Sequence, residues 1–351
     1  MRTFVGITLF VIIGLVTAVI FGFSSQFNNG QRVYDDEQSG LREQTVIRFS
    51  FVVAENTPKG QAAQEFARLV KLKTNDTIKV ELFPNGTLYN EYDEVAALQQ
   101  GSIQLIAPSF SNISEVVPEW MAMDLPFAFR NEEAVQQAFQ GKIGSILMGK
   151  LESKGMIGLG LWANGFQQMT SNKRPLVELE DFRNLKFRIL PSEVIEAQFR
   201  QLNATTVPIP FNKVYRSMES GEVDSGENTI SNIYSRKLYQ VQKYMTISNH
   251  AYLGYGVIMN KAFWDKLSAA QQKAVGEAMQ EATAWANQNA IHLNSKQLDE
   301  LKKTGQMDIH VLSDEERAEW EQALEPVYQE ARAYVGQELI DAVNELRRHY
   351  K

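Results

Sequence analysis

"VIRFSFVVAENTPKGQAAQEFARLVKLKT", Val46 to Thr74, sets the architecture. Ile47, Phe49 and Phe51 alternate with other residues at the period of a half-buried strand. Ala63, Phe66, Ala67 and Val70 then fall on one helical face, and Pro58 suits the first turn of that helix. The strand, loop, helix unit repeats downstream. "IKVELFP" (78–84) alternates Ile78, Val80 and Leu82, "NG" turns the chain into the helical pattern "EYDEVAALQQG" ended by Gly101, and "SIQLIAPS" (102–109) predicts a third strand. Strands alternating with helices imply right-handed crossovers onto a mostly parallel sheet, with ligands bound beyond the carboxyl ends of its strands. Lys59 and Ser109 lie in loops at that end.

A second round runs through "MIGLGLWANG" (156–165), "KFRIL" (186–190), the helix "SEVIEAQFRQLN" (192–203), the strand "TVPIP" (206–210) and the short helix "NKVYRSMESG" (212–221). Two such modules predict two lobes with a cleft between them. The stretch from Ala269 to Gly305 reads as one helix, with apolar residues every three or four positions and enough length to span both lobes.

The totals narrow the function. With 351 residues, 44% hydrophobic, the chain can build a core without staples, and it has no cysteine, which removes disulfides, thiolate metal sites and a cysteine nucleophile. Its four histidines include no pair at metal-binding helical spacing, so no metal is expected. A net charge of -7 argues against a nucleic-acid partner but leaves room for a small anion held by one or two local cations. After Arg2 an unbroken apolar run extends from Phe4 to Phe23. It marks the chain for export, with residues 1–26 either a cleaved signal or a retained inner-membrane anchor and the polar stretch 27–45 a disordered leader.

"GLGLWA" (158–163) formally matches the dinucleotide fingerprint, yet its glycines lie inside an apolar strand with no helix opening among them, so no cofactor is expected. No serine stands in a nucleophile elbow, and no carboxylate pair is set in apolar surroundings. The chain therefore reads as a binding protein, not an enzyme. The informative charge is Arg188, between apolar neighbours in "KFRIL". A buried guanidinium needs a carboxylate. Two partners are open to it: an internal acid such as Asp181 or Glu180, or an acid arriving from outside, which its planar fork would grip bidentately.

Longer stretches carry a family resemblance. "DFRNLKFRILPSEV" (181–194) and the run from Pro210 to Asn260 resemble the substrate-binding proteins of tripartite ATP-independent periplasmic (TRAP) transporters. "PNGTLY", "DLPFAFR" and "WANGFQQMTSNKRP" are similar to their DctP-type, C4-dicarboxylate branch. The resemblance implies an α/β, two-lobed periplasmic binding protein fold with hinge strands and a long lobe-spanning helix. Lobe I would take residues 46–165 with a return segment of about 250–285, and lobe II residues 166–249 with the C-terminal segment of about 286–351. It also implies a periplasmic protein that closes over malate, succinate, fumarate or another organic acid and passes it to the TRAP membrane permease. Membrane contact would come through that permease or the N-terminal segment.

By the same resemblance Arg188 forms the principal salt bridge to the ligand carboxylate, Asn228 of "VDSGEN" donates a hydrogen bond and Phe211 of "PFNKVY" packs on the ligand. Lys59 and Ser109 would close on its far end, and Gln167 would contact it directly. Three departures bear on specificity. Ser225-Gly226 replaces the usual glycine-glutamine and is expected to bend the loop that aims Asn228. Gln167 stands where many relatives carry a cation, and Phe51 where they often carry histidine. A monocarboxylate ligand therefore stays open, as does a membrane-tethered sensor of the same fold. His250 and Tyr252 read as hinge or core residues.

Overall fold

The computed structural model describes residues 44–350, so the predicted signal or anchor and nearly all of the leader lie outside the described residues. Among the described residues nine strands form one sheet: β1 (Thr45–Ser50), β2 (Ile78–Phe83), β3 (Leu105–Ile106), β4 (Met156–Ser171), β5 (Lys186–Ile189), β6 (Thr205–Pro208), β7 (Ser225–Thr229), β8 (Tyr244–Asn260) and β9 (Asp308–Val311). The helices are α1 (Pro58–Lys73), α2 (Glu94–Gln99), α3 (Phe110–Ile113), α4 (Glu132–Gln140), α5 (Lys142–Leu151), α6 (Glu193–Gln201), α7 (Val214–Glu219), α8 (Ile230–Ser235), α9 (Lys261–Trp264), α10 (Ala269–Thr304), α11 (Asp314–Val335) and α12 (Gln337–His349). The strand order is β2-β1-β3-β8-β4-β7-β5-β6, with β9 beside β8.

The sheet departs from the mostly parallel one that the alternation predicts. Its two ends are parallel, β2-β1-β3 on one side and β6-β5-β7 on the other. Between them β4 and β8 run antiparallel along almost their whole lengths. Each is about three times a usual strand. The amino-terminal half of β4 and the carboxyl half of β8 serve the β1 side, and their other halves serve the β5 side. Three register shifts interrupt the pair, one between Ala163 and Gly165, where Gly165 takes φ +145°, a conformation other residues avoid. These are the hinge strands of the two-lobed fold.

The core lies on both faces of this sheet. Phe110, Trp120, Phe187 and Trp320 belong to one buried cluster, and Phe49, Phe66, Trp162 and Met279 to the other. Gly158 and Gly160 of the apparent dinucleotide fingerprint let these layers approach. A Cβ on Gly158 would stand 2.4 Å from the Met148 sulfur of α5, and one on Gly160 2.7 Å from Thr283 Oγ1 of α10. Both glycines serve packing.

Helix α10 begins at a capping box, Ser268 with Gln271, and stops at Gly305 in the left-handed region. Asn287 bonds β4 at Ala163 N (2.7 Å) and Leu161 O (3.2 Å), and Asn294 bonds Asn164 O (2.6 Å) and Ser231 N (2.9 Å) at the start of α8. Asn289 reaches Gln61 of α1. The helix thus straps both ends of the sheet across the hinge.

Candidate ligand-binding site

Within β5 the alternation places Phe187 and Ile189 in one core cluster and turns Arg188 to the opposite face. Arg188 is 2% exposed and sits in the centre of a parallel trio, opposite Val207 of β6 and Gly226 of β7. Its Nε donates to Ile209 O at 2.8 Å, while Nη2 is buried without a hydrogen-bond partner. The nearest carboxylate is Glu91, whose Oε1 lies 3.9 Å from Nη2, too far for a hydrogen bond. Neither acid expected from the sequence plays that part. Asp181 is taken locally, its Oδ2 accepting from Val177 N and Glu178 N, and Glu180 is exposed.

Arg188 lines a cavity of about 380 Å³, its opening included, with Asn228, Phe211, Lys59, Ser109 and Glu94. Five of the six residues expected at the site meet in these walls. The sixth, Gln167, is buried in β4 opposite Thr229 and Ala251 and does not line the cavity. Asn228 accepts from Thr229 N and Asn232 Nδ2 at its Oδ1, which leaves its own NH₂ without a partner among the described residues. The expected bend at Ser225-Gly226 is absent: this segment is the regular strand β7, in register with β4 and β5. The lack of a side chain on Gly226 makes room for Met218, whose Cε would stand 2.7 Å from an added Cβ.

The opposite wall comes from the ends of β1 and β3. Lys59, in the first turn of α1 behind the Thr57 cap, is 1% exposed. Its Nζ donates to Ala107 O at 2.9 Å and stands 3.9 Å above the Tyr255 ring. Burial pushes its pKa down to about 8, against the pull of Glu94 and Glu91. Ser109 caps α3, accepting from Asn112 N, and faces the same space. Phe51 is fully buried against Phe49 and leaves the wall to Val52 and Val53.

Three further polar groups were not anticipated. Glu91 accepts from Phe211 N at 2.9 Å and so ties the loop after β2 to the loop after β6. Arg236 stacks over the Phe211 ring, 4.6 Å from its centroid. Glu94 is fully buried with neither carboxylate oxygen hydrogen-bonded, and burial pushes its pKa up to about 8. A signal for it existed: Glu94, Ala97 and Leu98 share one face of α2, so the helical period puts this acid on a buried side. His250 and Tyr252 are buried away from the cavity, His250 between Glu227 and Ser248 and Tyr252 bonded to Glu132.

A small cavity with buried, part-satisfied cations on both walls, set at strand ends beside a hinge, is that of a two-lobed solute-binding protein. Residues 49–333 match the bacterial extracellular solute-binding protein family 7 (DctP), and the chain belongs to that family. It is 44% identical to the C4-dicarboxylate-binding protein DctB of Bacillus subtilis over 99% of both chains. The solved structure of a TRAP periplasmic solute-binding protein from Sulfurospirillum deleyianum, with bound succinate, is 38% identical and superposes with a TM-score of 0.83 over 86% of this chain and 99% of that one. The sugar-acid-binding protein DctPAm of Advenella mimigardefordensis, in complex with galactonate, is 30% identical with a TM-score of 0.85 over 88% and 99%.

Proposed function

We propose that this protein works outside the cytoplasmic membrane, captures a C4-dicarboxylate in the Arg188 cavity and presents it to the membrane permease of a TRAP transporter. One observation carries the reading: Arg188 is buried with Nη2 unpaired and lines a cavity that the buried cation Lys59 lines as well. Two cations on opposite walls suit an acid with a carboxylate at each end. Arg188 would hold the first bidentately, Asn228 would donate to it, Phe211 would cover the carbon chain, and Lys59 and Ser109 would take the second. The succinate-bound and C4-dicarboxylate-binding relatives support this class of ligand.

In this reading lobe I comprises residues 46–165 with the return segment of about 250–285, and lobe II residues 166–249 with the C-terminal segment of about 286–351. Closure brings Lys59 and Ser109 onto an acid already held by Arg188, so the ligand selects the closed form through contacts made only there. The apolar N-terminal run either directs export and is removed or tethers the protein. A second reading, a monocarboxylate such as a sugar acid, is favoured by the galactonate-bound relative; Gln167, which lies outside the cavity walls, does not bear on the choice.

The test is titration of residues 46–351, refolded to strip carried ligand, with succinate, malate, fumarate, galactonate and lactate. Ligand at 100 times its Kd should stabilise the fold by about 2.7 kcal/mol. A response to diacids supports the first reading, a response confined to monocarboxylates supports the second, and no response to any acid overturns both.

A further inference from the structure

Glu94 is the unusual group of the cavity. Both its oxygens are buried without hydrogen-bond partners, although an ionised carboxylate would need several. Lys59 is its nearest opposite charge, yet that ammonium bonds Ala107 O, and no ion pair within 4 Å joins the two.

The charges facing Glu94 come from every element around it. Lys59 projects from α1, Glu91 from the loop before α2 and Arg188 from β5, with Arg236 beyond Phe211. Tyr255 of β8 is kept neutral because burial pushes its phenol well above the usual range. With Glu94 ionised, the two acids and two cations in the walls cancel, and a dianion would find little attraction beyond that of Arg236 behind Phe211. With Glu94 neutral the walls carry one net positive charge, and its hydroxyl is a donor with nothing else to bond.

We infer that Glu94 serves as a neutral carboxylic acid that donates a hydrogen bond to the ligand carboxylate farther from Arg188, so that diacid binding and proton binding are coupled at this residue. The inference rests on the C4-dicarboxylate reading above and deepens it. The proton stays on Glu94; the donated bond replaces the repulsion two carboxylates would otherwise exert. An incoming dianion therefore raises the proton affinity of Glu94, and of Lys59 with it.

Calorimetric titration of succinate from pH 6.5 to 9.5, in two buffers of different ionisation heat, tests this. Wild type is expected to take up protons on binding at pH 8 and above, with Kd rising toward about tenfold per pH unit for each proton coupled. Glu94→Gln keeps a donor but cannot titrate, so its uptake falls while the share at Lys59 remains. Glu94→Leu removes the donor and should weaken binding at pH 7 by roughly 10-fold or more, with Glu94→Gln recovering part of that loss. A wild-type Kd flat across this range overturns the inference alone, without needing a variant. Uptake unchanged in Glu94→Gln, or Glu94→Gln no better than Glu94→Leu, overturns it as well. Absence of succinate binding by wild type at pH 6.5 overturns the ligand reading and this inference with it.

Discussion

Arg188 and Arg317 show the same side chain put to two uses. Arg317, on α11, bonds Glu321 one turn along at 2.8 Å and lies 4.8 Å above the Phe127 ring. Its own helix supplies a carboxylate, a neighbouring loop supplies a ring, and its side chain remains 14% exposed. Arg188 is more deeply buried, has one carbonyl partner, and holds its only carboxylate at 3.9 Å. Burial without full satisfaction is costly. In the proposed function a ligand supplies what Arg188 lacks, whereas the remaining N–H groups of Arg317, whose side chain is 14% exposed, can reach solvent.

Substitution should separate these uses. Arg188→Ala leaves the acid in a drying cleft without its bidentate partner, so titration should show diacid affinity lower by on the order of 100-fold or more. Arg188→Lys preserves the charge and loses the fork, and should still bind at least about 10-fold more weakly than wild type. Near-normal affinity in Arg188→Lys would mean that charge alone, not the planar fork, is what the site uses. Arg317→Ala should leave Kd unchanged and lower stability by about 1 kcal/mol, the usual worth of a half-exposed pair with its ring contact. For a chain of this size that is about 1–2 °C of melting temperature. A loss of affinity in Arg317→Ala would show that the two arginines are coupled after all.

The contrast also marks what the sequence could tell. Arg188 was legible because one charge among Phe187, Ile189 and Leu190 breaks an apolar strand, and a strand leaves such a residue only one face to occupy. The length of β4 and β8 was hidden. "NGFQQMTS" and "YMTISNH" carry many polar residues, yet they are sheet, because Gln168 is satisfied by Asn249 Oδ1 and Ser248 N, and Thr170 by Gly226 O. Hydropathy counts polar atoms without seeing whether their partners lie inside the fold. The antiparallel centre of the sheet went unread for that reason. Glu91 escaped for another: its role depends on the loop after β6 approaching from more than a hundred positions away, a contact no local pattern encodes.

Glu91 sharpens the comparison most finely, since it occupies the place that Glu321 takes beside Arg317, at a distance where it only half fills it. Burial pushes its pKa up, with Arg188, the Phe211 amide, Lys59 and Arg236 pulling the other way. A carboxyl whose folded pKa lies above its unfolded value costs stability as pH rises from the unfolded value of about 4.5 through the folded one. Glu91→Gln keeps an oxygen for Phe211 N and abolishes that cost. Its stability relative to wild type should therefore improve between pH 4 and pH 7, offset by loss of the weak attraction to Arg188, for a net change within about 1 kcal/mol. The same change removes a negative charge facing the incoming dianion, and diacid affinity should rise a few-fold. Thermal melts across that pH range, paired with succinate titration, read both effects. Weaker binding in Glu91→Gln would show instead that its carboxylate positions Arg188 for the ligand, and the 3.9 Å contact would then be a working ion pair of the Arg317 kind.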